Sequence, residues 1–268
     1  TRVRRGRVTK TISLLEGDDA IYIEHRIEEM SGPMALGHHP TLRFPDEEGS
    51  CAIAVSPFLR GYTNPAPVER PPGGASFLRN GATFTRLDRV PTLDGRSADL
   101  TRYPALRGYE DLLFLQAKPT VRVGWSVVTF PRARCAWFSL HDARLLPLTV
   151  FWISNGGRHG PPWNGRHTGV LGLENVRACL NEGLAASARR PHPLAPRGLA
   201  TCVRLSPSRP LAVRHIQGAA RLPRGFGEVA RLRIGRRGIL LRNRAGREVA
   251  VDVRAPFLFD GRLPTSPR

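Results

Sequence analysis

Apolar residues recur with a period of two along much of the chain. Ile21, Ile23, His25 and Ile27 alternate with polar neighbours. So do Val121, Val123, Trp125 and Val127, then Leu146, Leu148, Val150 and Trp152, and finally Val249, Val251 and Val253. Successive side chains of an extended chain face opposite ways, so each run reads as a strand with one apolar face. Turn-forming clusters divide the runs: Glu16-Gly17-Asp18-Asp19, Pro71-Pro72-Gly73-Gly74, Asn155-Gly156-Gly157 and Arg244-Ala245-Gly246. Helical spacing is scarce. It predicts only two short helices, Tyr109 to Leu115 and Glu174 to Ala186, the second interrupted by Gly183. The pattern implies an all-β protein, a sandwich or barrel. There is no internal repeat. The Pro-rich stretch from Arg189 to Arg197 reads as a loop too short to mark a domain boundary, so one domain over residues 1–268 is expected.

Composition narrows the class. With 268 residues and 41% hydrophobic content, the chain can bury a sizeable core, which excludes a disordered tail. No apolar run approaches the ~18–20 residues that cross a bilayer, and the start is not of signal-peptide type. A cytoplasmic location without a membrane is the expectation. The net charge is +19, and residues 201–268 carry 15 arginines against four acids, a net of +11. Only Lys10 and Lys118 are lysines, however, a ratio that a GC-rich coding sequence produces without any ligand. A solvated basic surface is therefore expected, with no specific nucleic-acid partner. Cys51, Cys135, Cys179 and Cys202 form no CxxC pair and have no histidine at zinc-ligand spacing. They read as reduced structural thiols, with no metal site.

Three segments could carry chemistry. In Gly32-Pro33-Met34-Ala35-Leu36-Gly37-His38-His39-Pro40, adjacent histidines on an extended chain point to opposite faces, and Pro40 holds His39 extended. The bland alternative is a polar loop with an incidental His pair. The segment from Phe151 to His167 mixes Trp152, Trp163, Arg158, Asn164, Arg166 and His167 with glycines. Carbohydrate sites favour that mixture, because flat aromatic faces meet sugar C–H groups while polar tips bond hydroxyls. In Val170-Leu171-Gly172-Leu173-Glu174-Asn175, a strand would place Glu174 beyond a side-chain-free Gly172, on the face away from the leucines. A carboxylate there could act as a base, or be an ordinary strand-end glutamate.

Taken in order, these segments resemble the aldose 1-epimerase (galactose mutarotase-like) family. His39-Pro40-Thr41-Leu42 stands where that family has a catalytic histidine in an H-x-Y-F-N-L-type segment. Leu171-Gly172-Leu173-Glu174-Asn175 stands where it has a catalytic glutamate in an I-x-L-E-P-type segment. The paired strands at Val8–Gly17 and Ile21–Glu28 fit the same plan. The resemblance implies a large antiparallel supersandwich. The arginine and HG-type histidine that the family carries upstream do not precede Val8, so either the amino-terminal strands are lacking or this branch supplies those groups differently, with His25, His159, Arg158, Arg166 and His167 as the substitutes. The resemblance further implies acid/base interconversion of sugar anomers, with Glu174 as base, His39 as acid, no cofactor and a small sugar as the partner. His38, His25, Trp163, Arg166, His167 and Asp111 are the candidate substrate-binding residues. A carbohydrate-binding sandwich without turnover is the alternative, and no oligomeric state follows.

Overall fold

A computed structural model describes residues 4–179, 182–189, 199–235 and 237–264. In chain order the strands are β1 (Arg7–Leu14), β2 (Ala20–Glu28), β3 (Gly32–Met34), β4 (Leu36–His38), β5 (Thr41–Arg43), β6 (Cys51–Val55), β7 (Phe58–Thr63), β8 (Thr83–Phe84), β9 (Val90–Pro91), β10 (Ser97–Ala98) and β11 (Arg102–Tyr103). Then follow β12 (Tyr109–Ala117), β13 (Val123–Phe130), β14 (Cys135–Asp142), β15 (Leu148–Asn155), β16 (Val170–Arg177), β17 (Val203–Leu205), β18 (Leu211–Arg221), β19 (Val229–Ile234), β20 (Gly238–Asn243) and β21 (Glu248–Asp252). Two short helices, α1 (Gly183–Ala188) and α2 (Phe257–Asp260), complete the described elements. About 50% of the chain is strand and 4% helix.

Two seven-stranded antiparallel sheets dominate. One runs β1-β2-β18-β14-β13-β6-β11, and the other runs β4-β16-β15-β12-β7-β8, with β5 also paired to β16. Leu113, Leu115, Phe151, Ile153, Leu171 and Leu173 of the second sheet pack on Cys51, Ile53 and Val128 of the first. Burying each large side chain stabilises the fold by about 1.5–3 kcal/mol. The first sheet's outer face carries Tyr22, Val127, Phe138 and Ile216, which pack on the three-stranded sheet β19-β20-β21 and on Phe257 of α2. Both faces of the first sheet are thus apolar, which explains near-continuous runs such as Val123–Phe130.

The expected strands appear with shifted ends: Ile21–Ile27 within β2, Val121–Val127 as β13, Leu146–Trp152 as β15 and Val249–Val253 as β21. Both expected helices need correction. Tyr109 to Leu115 is strand β12, paired with β7 and β15. Its two faces are both buried, Leu113 and Leu115 inward and Leu112 and Phe114 outward, so the sequence shows no period of two. Of Glu174 to Ala186, the first four residues continue β16 and helix begins only at Gly183. The Arg189–Arg197 loop falls almost wholly outside the described residues. Cys51, Cys135 and Cys179 form no disulfide. No helix among the described residues is long and apolar enough to cross a membrane.

Candidate functional site

The second sheet's outer face holds the site. On β16, Gly172, Glu174 and Val176 face outward, opposite Trp152, Val150 and Leu148 of β15. Beside β16 the chain runs through β4, breaks at His39-Pro40 and resumes as β5, pairing His38 with Asn175 and Thr41 with Gly172. Pro40 has no N–H to give, so the ladder is interrupted there. Its carbonyl still accepts the N–H of Leu173 at 2.9 Å. Alternation across the break turns His38 and Leu42 inward and leaves His39 and Thr41 outward, on the Glu174 side.

His39 Nε2 lies 3.2 Å from Glu174 Oε1. Its Nδ1 lies 3.0 Å from the Thr41 hydroxyl. The ring meets Trp152 edge-on, with centroids 5.4 Å apart. Both ring nitrogens therefore face oxygens, and a doubly protonated imidazole satisfies both at once. The pair is asymmetric: the His39 side chain is 54% exposed and that of Glu174 only 15%. Burial raises the Glu174 pKa above the ordinary carboxylate value, and the neighbouring His39 charge partly offsets it. Gly172 is needed here, since a Cβ would stand 3.1 Å from Glu174 Oε1 and 3.2 Å from Trp152 Cβ.

Trp152 is fixed from behind. Its Nε1–H donates to Glu110 Oε1 at 2.6 Å, and the Ser154 hydroxyl donates to Glu110 Oε2 at 2.9 Å. Arg158 Nε lies 2.9 Å from Glu69 Oε1 and 3.3 Å from Glu110 Oε1. The Glu110 side chain is fully buried, which raises its pKa against the opposing effects of these donors and of Arg158. A cavity of about 510 Å³ opens over this surface, bounded by His39, Glu174, Trp152 and Arg158 and by the apolar Leu112, Val150 and Val176. A larger hollow of about 620 Å³ shares none of these residues. Its Asp94 and Asp99 accept from the hydroxyls of Thr92 and Thr101.

The remaining candidates divide. The His167 ring stacks on Trp152, with centroids 5.6 Å apart, and Trp163 packs on His167 at 4.9 Å. Both back Trp152 rather than border the cavity. Arg166 is exposed in the same loop. Two substrate-binding expectations are corrected: Asp111 is buried, and His25, half-buried, does not border the cavity. Asp111 accepts the N–H of Phe77 at 2.9 Å and of Leu78 at 3.4 Å, and burial pushes its pKa up to about 7. His25, on β2, packs on His38 with centroids 5.2 Å apart. His38 borders the cavity, but its ring is turned inward and stacks on His215. Glu110 was missed. Its signal was an acid in phase with Leu112 and Phe114 in an apolar run, one residue from Asp111 and hence on the other face.

No family model and no curated protein sequence matches the chain. Solved structures do. A candidate aldose 1-epimerase from Escherichia coli K12 aligns with a TM-score of 0.51 at 12% identity, covering 82% of this chain and 62% of its own. A second candidate aldose 1-epimerase, from Klebsiella pneumoniae, aligns at 0.48 and 11%, covering 81% and 47%. A galactose mutarotase related enzyme from Lactobacillus acidophilus aligns at 0.48 and 11%, covering 83% and 64%. The chain thus spans about half to two thirds of the length of these structures. Its fold is the all-β galactose mutarotase-like sandwich.

Proposed function

We propose that the protein is an aldose 1-epimerase-like enzyme that interconverts the anomers of a free sugar. The observation that carries this reading is the His39–Glu174 pair, 3.2 Å apart at the open edge of a cavity walled by Trp152. Mutarotation removes a proton from the C1 hydroxyl and delivers one to the ring oxygen. The C1–O5 bond opens to the aldehyde, C1 turns, and the ring recloses from the other face. Glu174 takes the C1 proton and protonated His39 serves O5. When a sugar enters, each group exchanges its partner for a substrate oxygen. His39 is the more exposed of the two and has only the Thr41 hydroxyl on its other nitrogen, so it is the group that swings. The raised pKa of Glu174 brings it closer to working pH, which favours proton exchange in both directions. Trp152 offers its face to the sugar's C–H groups.

Polarimetry on freshly dissolved α-glucose and α-galactose tests the proposal. The parent chain should accelerate the approach to the anomeric equilibrium, and Glu174→Gln should abolish that acceleration. Equal rates for parent and variant would overturn it. One observation favours binding without turnover: Arg158, the third polar group at the cavity, is already engaged by Glu69 and Glu110. Calorimetry showing that parent and Glu174→Gln bind sugar equally, while neither turns it over, would establish that reading.

A further inference from the structure

Four of the chain's eight histidines meet between the two large sheets, although they come from four different strands. The His38 ring of β4 stacks on His215 of β18, with centroids 4.6 Å apart and planes 20° apart, and His25 of β2 packs on it at a tilt, with centroids 5.2 Å apart. His141 of β14 stands directly across from His215 in the β14–β18 ladder. His38 Nε2, His141 Nδ1 and His215 Nε2 are buried without a hydrogen-bond partner, as are the Ser126 and Ser139 hydroxyls and Asn175 Oδ1. Buried polar atoms are normally satisfied, so a layer with six open valences signals a function or a guest.

We infer that this layer is a proton-operated latch on β4: neutral, it lets β4 seat on β16, and taking up a proton it releases β4 and the His39 that follows. The inference stands whether or not the cleft turns over a sugar. The charged surroundings all push one way. Lys10 of β1 lies near His25 and His38, and each histidine disfavours a charge on its neighbours. Among the described residues no carboxylate faces the layer. Glu24 of β2 is turned to Arg214, Glu174 of β16 to His39, and Asp142 of β14 to the backbone of Arg144. Arg177, at the end of β16, bonds the carbonyls of Leu145 and Arg144. From β13 only the Ser126 hydroxyl and Gly124 face the imidazoles, and a Cβ at Gly124 would strike the His141 ring. Burial, reinforced by these charges, lowers His38 to about 4 and His141 to about 3, and it holds His215 and His25 below their ordinary value. A histidine lowered in the folded state is charged only in the opened one. The latch therefore holds above the unfolded value near 6.5 and weakens as pH falls below it. A metal does not fit this placement. Face-to-face rings send their nitrogens past one another, and among the described residues no three His, Cys, Asp or Glu are arranged to hold an ion.

The test is urea unfolding of the full chain between pH 7.5 and 5. Each imidazole that is neutral when folded and charged when unfolded steepens the rise of the unfolding constant by about tenfold per pH unit. Buried Asp111, raised to about 7, acts in the opposite sense, so the readout is the difference between parent and variant. His141→Leu and His215→Leu should each flatten the slope by about tenfold per unit around pH 5. His159→Gln, at an exposed position, should leave it unchanged. If the leucine variants do not fold, NMR titration of the parent decides. His38, His141 and His215 should stay neutral at pH 5.5. Hydrogen exchange should then report extra opening of the β4–β16 pair at pH 5.5, relative to β12–β15. Native titration of His38, His141 and His215 near 6.5, unchanged slopes in the variants, equal opening of the two pairs, or a slope that shifts with zinc or a chelator would each overturn the latch.

Discussion

His38 and His39 are chain neighbours, and so are Glu174 and Asn175, yet the β4–β16 pair sorts them into opposite environments. Outward, His39 and Glu174 face each other at 3.2 Å, and His39 is more than half exposed. Inward, His38 and Asn175 stand opposite each other in the ladder, with His38 Nε2 and Asn175 Oδ1 both unpartnered. Two adjacent histidines are therefore set to different tasks by parity alone. An ion pair at a cleft edge contributes little to stability, because solvent screens it and the exposed side chain is costly to order. A buried imidazole without a partner costs about 1–3 kcal/mol even before it is charged. The outward pair should govern rate and the inward layer should govern stability, with little crossover at neutral pH.

The largest expected effect breaks the outward side. Glu174→Gln removes the proposed base but keeps the shape, and should lower any anomerisation rate by about 10²–10⁴-fold. Its urea midpoint should move little. Polarimetry and denaturation on one preparation test both halves. A large stability loss with an unchanged rate would reverse the assignment of the two faces.

Next in size is the inward counterpart. His38→Leu removes a buried ring whose pKa falls from 6.5 to about 4 on folding. At 1.36 kcal/mol per unit, that shift costs the parent roughly 3 kcal/mol at or below pH 4, and none of it well above 6.5. The variant should therefore gain stability over the parent progressively as pH falls from about 6.5 to 4. Denaturation at pH 7 and pH 4.5 checks the sign. A gain at pH 7 as large as that at pH 4.5 would mean that packing, not proton uptake, is the difference.

Such a contrast could be read only partly from residues in order. Period-two alternation at Ile21–Ile27 or Val249–Val253, cut by Gly and Pro clusters, is local physics, and it suffices for an all-β chain. β12 defeats it because both of its faces are buried, so Leu112, Leu113, Phe114 and Leu115 show no alternation. Glu110 and Asp111 then look equivalent, although one fixes Trp152 and the other caps backbone N–H groups. His39 and Glu174 could be singled out by resemblance to family segments, since each lies in a short motif of its own. The histidine layer could not. His141 and His215 are 74 residues apart, in strands whose register is set by long-range pairing, and neither stands in a motif.

A smaller effect returns to the outward face and tests aim rather than chemistry. Gly172→Ala would put a Cβ about a third of an ångström too close to Glu174 Oε1 and to Trp152 Cβ. The carboxylate end can yield, whereas the Trp152 ring is held by Glu110. The side chain that shifts is therefore the proposed base. Because small misplacements of reacting groups are expensive, the rate should fall by about tenfold. Stability should change by less than about 1 kcal/mol, since alanine suits a strand better than glycine and offsets part of the crowding. Kinetics of Gly172→Ala in which the Michaelis constant alone rises would point instead to lost sugar contacts.

The smallest effect separates two ways of holding His39. Thr41→Ala removes the hydroxyl 3.0 Å from Nδ1 and leaves Glu174 as the only oxygen on the ring. If the acid must leave Glu174 to reach a ring oxygen, Thr41 matters as the group that orients the ring during the swing. A hydrogen bond at such an exposed position is worth about 0.5–1 kcal/mol. The expected loss is two- to fivefold in rate at saturating sugar, with the urea midpoint and its pH dependence unmoved. A Thr41→Ala effect that appears in the pH slope of stability would join Thr41 to the inward layer, and the separation of the two faces at Pro40 would fail.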